Sequence, residues 1–111
     1  MARIVHVVLF QFKSETPESE RKELSQKMLR LKTSCIHPTL HRPYITSSVG
    51  GLDNSIEGSQ DGFTHAFVVE FESQQDRDYY VRHDPAHKAF VSEAMPRLAR
   101  AHIVDFVPGE L

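Results

Sequence analysis

Residues 3–12 read RIVHVVLFQF, a run of β-branched and aromatic side chains of strand type. One parity holds Ile4, His6, Val8, Phe10 and Phe12, and the other holds Val5, Val7, Leu9 and Gln11. Both sets are largely apolar, whereas a strand with one wet face alternates apolar with polar residues. The segment therefore has to be covered on both sides. No other stretch of the chain restricts the fold as much.

The rest of the sequence supplies cover for one side only. Thr16 and Pro17 read as the N-cap and first residue of a helix. Its apolar positions Leu24, Met28 and Leu31 recur at i, i+4 and i+7, and it ends before Pro38. Residues 42–49 form a weaker strand, with Pro43 suited to an edge or a strand start. The polar, glycine-rich stretch GGLDNSIEGSQDG (50–62) reads as a long mobile loop that could act as a lid. FTHAFVVEF (63–71) is the second strong strand, with Phe63, His65, Phe67, Val69 and Phe71 on one parity. Ser73 and Asp76 open a short helix through Arg82. Asp84 and Pro85 open another, with Phe90, Ala94 and Leu98 on its apolar side and a break at Pro96. AHIVDFV (101–107) closes the chain as its last strand.

The order is β-α-β-β-α-β with the second helix broken in two. This predicts an α+β, ferredoxin-like domain over residues 1–111, an antiparallel sheet with its helices on one face. At 111 residues, 40% of them apolar, such a domain is small enough for oligomerisation to stabilise it. The uncovered sheet face calls for a second copy of the chain, with Val5, Val7 and Leu9 at the contact. A homodimer is expected.

Composition removes several function classes. A formal charge of −2, a pI near 6.4 and the lack of a Lys/Arg run argue against a nucleic-acid partner. The single cysteine, Cys35, suits a reducing compartment. The N-terminal apolar stretch is short, contains His6 and Gln11, and lacks a small-residue cleavage site. No run reaches membrane-spanning length. The expectation is a cytoplasmic protein with no membrane partner.

The stretch RDYYVRHDPAHKAFV (77–91) carries the chemistry. His87 lies in the first turn of its helix, where the partial positive charge disfavours imidazolium and keeps the ring able to accept a proton. A tyrosine hydroxyl could donate to a developing enolate oxygen. The bland alternative is that Asp84-Pro85 is an ordinary helix start and His87 packs against a neighbour. His6 and His65, on aromatic strand faces, read more readily as satisfied core histidines than as reactive ones. Tyr79 and Tyr80 point to different sides of a helix, so one of them packs. His37/His41 and His83/His87 have metal-ligand spacing, but each pair is interrupted by proline and lacks a third ligand. No metal and no cofactor is expected.

VHVVLFQFK, GFTHAFVVEFES, DPAHKAF and VDFVP together resemble the stress-responsive dimeric α/β-barrel (Dabb) domain family, in the family's order and over nearly the whole chain. The resemblance implies a ferredoxin-like protomer and a two-chain α/β barrel. It also implies, by analogy with a polyketide cyclase of this family, an intramolecular aldol-type condensation of a ketone-rich substrate without a cofactor. Carried over residue by residue, His87 matches the general base, Tyr80 the assisting tyrosine and His6 a pocket histidine. His65 matches a second pocket-lining histidine, and Phe67, Tyr79, Leu24 and Met28 are further candidates for lining the substrate pocket. Where the cyclase reads His-Pro-Ala-His, this chain reads HDPAH, with Asp84 inserted. Tyr79 and Tyr80 thus compete for one role, and the alignment favours Tyr80. A non-catalytic stress or ligand-binding protein and a cofactor-free monooxygenase-like enzyme remain open on the same scaffold.

Overall fold

The computed structural model describes residues 2–111. Its elements are β1 (Ile4–Phe12), α1 (Glu18–Ser34), β2 (Ile45–Leu52), β3 (His65–Phe71), α2 (Gln74–Arg82), α3 (Pro85–Ala94), a single 3-10 turn (Met95–Arg97) and β4 (Leu98–Phe106). The strands form one antiparallel sheet in the order β2-β3-β1-β4, so the two-faced first strand is internal. This is the ferredoxin-like α+β arrangement.

Register puts the apolar residues to use on both sides. His6, Val8, Phe10 and Phe12 of β1 and His65, Phe67, Val69 and Phe71 of β3 are buried. Val8, Phe10, Phe67 and Val69 share one core with Leu24, Met28 and Leu31 of α1 and Phe90 of α3. On the opposite side, Val49, Val68, Val7 and Val104 are cross-strand neighbours, forming an apolar row across all four strands. No helix covers that row: Val49 is 59% and Val104 64% exposed.

Local signals explain most element ends. The Ser73 hydroxyl accepts the Asp76 N–H at 3.1 Å and starts α2. Asp84 caps α3 with Pro85 as its first residue, and Pro96 falls in the 3-10 turn that ends it. The start of α1 differs from expectation. Pro17 is its N-cap, and Thr16 makes no capping bond, because its hydroxyl donates instead to the Arg97 carbonyl at 3.0 Å.

The glycine-rich segment also differs. Gly50, Gly51 and Leu52 continue β2, so the connection begins at Asp53. Its far end is held by Arg100, which bonds the Asp61 carboxylate and carbonyl and lies 4.4 Å from the Phe63 ring centroid. Gly62 turns there at φ +81°. Gly50 pairs with Phe67, whose ring occupies the space a side chain would need. A Cβ there would also lie 2.8 Å from the Ala66 carbonyl oxygen, whereas one at Gly51 would meet nothing within 4 Å. Gly50→Val should therefore cost about 1–3 kcal/mol in urea unfolding, the usual range for overpacking. Gly51→Val should change stability by less than about 0.5 kcal/mol.

Candidate active site

Three side chains from three elements converge on one small cavity. Tyr80 comes from the buried side of α2, His87 from the first turn of α3, and His6 from the inner face of β1. The cavity measures about 120 Å³ and its remaining walls are apolar, among them Val8, Phe10, Met28 and Phe90. The Tyr80 and His87 rings stack with centroids 4.0 Å apart, and His6 meets Tyr80 edge-on at 5.7 Å. Tyr80 is wholly buried.

Two buried polar atoms here have no hydrogen-bond partner: the Tyr80 hydroxyl and Nδ1 of His87. Leaving such a group unsatisfied costs about 1–3 kcal/mol, so the great majority are paired. A ligand with polar atoms would recover part of that cost. The remaining unpartnered atom among the described residues, Ser48 Oγ, lies on β2 away from this cavity. Burial, reinforced by the neighbouring His6, holds the His87 pKa below the usual histidine range, against opposing contributions from the Tyr80 backbone and Asp84. The imidazole is thus neutral near pH 7. Burial foremost pushes the Tyr80 hydroxyl pKa up, so it remains a donor.

A charged layer supports the third residue. His6 and Asp105 are register partners of β1 and β4, and His6 Nδ1 lies 2.6 Å from Asp105 Oδ1. Asp105 Oδ2 accepts from Arg77 Nη1 at 2.8 Å, and Arg77 Nε donates to Asp78 at 2.7 Å. A carboxylate can only accept, so Nδ1 carries the proton and Nε2 is the nitrogen left for other contacts. Asp105 and Arg77 were absent from the candidates drawn from sequence. The available signal was an acidic residue at the inward parity of the apolar strand AHIVDFV.

The other candidates, Met28 excepted, lie elsewhere. Met28 lines the His87 cavity, while Leu24 is buried in the core. His65 and Phe67 line a second hollow of about 400 Å³ between α1 and the β2–β3 pair, with Arg21, Ser25 and Leu29. There His65 Nδ1 sits 2.7 Å from Thr64 Oγ1, and burial, then Arg21, lowers its pKa. Tyr79 is half-buried and packs edge-on against Tyr44 at 5.7 Å. No residue of the 53–64 connection lines the His87 cavity. Among the described residues, no three His, Cys, Asp or Glu side chains are placed to hold a metal ion.

The profile of the stress-responsive A/B barrel domain (Dabb) matches residues 4–108. The chain belongs to this family. Two relatives align over 105 residues, 95% of this chain. The stress-response A/B barrel domain-containing protein HS1 of Arabidopsis thaliana is 30% identical over 89% of its own length. The olivetolic acid cyclase of Cannabis sativa is 27% identical over 96% of its length. A hydroxynitrile lyase from Passiflora edulis superposes with a TM-score of 0.85 at 20% identity, covering 99% of this chain and 96% of that one. A protein from Thermobifida fusca, described as dimeric and ferredoxin-like, gives 0.75 at 19% identity, covering 96% and 91%. These last two show likeness of fold alone. Within the Dabb domain described here, no helix is long and apolar enough to cross a membrane.

Because the folded pKa of His87 is depressed, the unfolded chain binds more protons in the window below the ordinary histidine value of about 6.5. Stability is therefore lost as pH falls through that window. Urea unfolding at several pH values from neutral to mildly acidic should show a smaller acid loss for His87→Gln than for the wild-type protein.

Proposed function

We propose that this Dabb domain is a homodimeric, cofactor-independent acid/base enzyme of polyketide-cyclase-like, aldol type, acting in the His87 cavity. The observation that carries the reading is the pair of unpartnered polar atoms, Tyr80 Oη and His87 Nδ1, buried in one apolar cavity. Neutral His87 takes a proton from a carbon flanked by two carbonyls, an acidic enough C–H for an imidazole base. The Tyr80 hydroxyl donates to the enolate oxygen as charge develops there. His6, whose Nδ1 donates to Asp105, presents Nε2 as an acceptor and orients the substrate beside the pair. The enolate carbon bonds to the acceptor carbonyl carbon, and the imidazolium returns its proton to the new alkoxide. The relative that is an olivetolic acid cyclase supports the reading, at 27% identity.

Cavity size favours small reacting groups. A hole of about 150 Å³ holds a benzene-sized molecule, and this one is about 120 Å³. Val91, Met95 and Ile103, which are 37%, 56% and 60% exposed, also line it and offer an apolar path for a tail. The same small volume favours a second reading, a non-catalytic binder of a small apolar ligand.

Turnover decides between the two. On linear β-polyketone and small β-dicarbonyl substrates, His87→Ala should lower the rate ~10²–10⁴-fold, and Tyr80→Phe should cost less. Equal rates for His87→Ala and wild type would remove the catalytic reading.

The dimer rests on the uncovered valine row. Light scattering should give twice the chain mass at micromolar concentration. Val7→Asp, which puts a charge on that row, should shift the protein to monomer. A wild-type monomer at that concentration would count against the assembly.

A further inference from the structure

The residue that interrupts the cyclase-like pattern, Asp84, is a carboxylate only 1% exposed. Its Oδ1 accepts the backbone N–H groups of Ala86 at 2.9 Å and His87 at 3.3 Å. Its Oδ2 accepts the Tyr44 hydroxyl at 2.5 Å, across 40 residues of sequence. Tyr44 is buried just before β2 and is held edge-on by Tyr79 and by His37, whose centroid lies 6.0 Å away. Cys35, at the C-cap of α1, is fully buried next to this pair. Burial, then the Asp84 charge, pushes its thiol pKa up. The Tyr44 hydroxyl pKa is raised by burial and by its bond to Asp84, so it too stays a donor.

An N-cap aspartate needs only the main-chain bonds, and at a surface, water solvates its other oxygen. Here that oxygen is buried, and a tyrosine from another part of the chain takes the place of water. We infer that Tyr44 and Asp84 are positioning residues for His87. Asp84 fixes the first turn of α3, and Tyr44 offsets the negative charge that the imidazole would otherwise face. The inference rests on the acid/base role proposed for His87.

The groups around His87 make the prediction specific. Tyr80 of α2 stacks on it, and His6 of β1 faces it, with Asp105 of β4 and Arg77 of α2 behind. Cys35 of α1 lies near Asp84 as an uncharged thiol. Burial and His6 favour the neutral imidazole, whereas Asp84 favours the imidazolium. Weakening the Asp84 charge and unmasking it should therefore act on His87 in opposite directions.

The test is an NMR titration of the His87 Cε1–H in the full chain. Tyr44→Phe keeps the ring but removes the donor, and should raise the His87 midpoint by about 0.5–1 unit. Asp84→Asn keeps a capping side chain without the charge, and should lower it by about as much. A packing role alone would move both variants the same way or neither. Unchanged midpoints, or shifts of one sign in natively folded variants, overturn the inference. Should Tyr44→Phe fail to fold, Asp84→Asn decides, and a midpoint that does not fall is fatal. The titration reads the imidazole directly, so turnover of His87→Ala bears on the proposed reaction and not on this result.

Discussion

Everything in this domain depends on the internal position of β1. A strand apolar on both faces is stable only with hydrogen-bonded neighbours at both edges and cover above and below. The sheet provides the edges through β3 and β4 and one cover through the helices. The same strand brings His6 to the inner face and Val7 to the outer one, two adjacent residues with opposite surroundings. The candidate site and the uncovered valine row thus share one backbone segment, because strand side chains alternate.

The cavity follows from how polar groups are distributed around that strand. Most buried polar atoms nearby are satisfied: His6 by Asp105, Asp84 by Tyr44 and two backbone amides. The chain pairs these supporting groups and leaves Tyr80 Oη and His87 Nδ1 unpaired. Rigid neighbours and free central atoms suit ligand recognition, since the groups meeting a ligand are held before it arrives. The stacking of the Tyr80 and His87 rings, with centroids 4.0 Å apart, adds to this.

Sequence was most informative where the controlling interaction is local. The Ser73 and Asp84 caps and the Leu24/Met28/Leu31 stripe depend on residues a few positions apart, and all appear as read. It was least informative where a distant group intervenes. Thr16 is diverted from capping by the Arg97 carbonyl, and Gly50 stays in a strand because Phe67 fills the room above it. Histidine placement has the same cause. His6 and His65 share the inner face, but register sets His65 opposite Phe10, four residues along β1 from His6. At 3.3 Å per residue that is roughly 13 Å, enough to put them in different hollows. Parity was readable from the chain, and register was not.

The His6–Asp105 contact joins residues 99 positions apart, from the first strand and the last. During synthesis β1 emerges before β4, so this edge has no partner until β4 has left the ribosome. Until then His6 lacks its carboxylate, and one edge of an apolar strand is open to other chains. Contacts of such long sequence separation form slowly. The nascent chain therefore passes through an interval in which one edge of its two-faced apolar strand is unpaired, and the ladder with β4 that carries the histidine–carboxylate pair ends it.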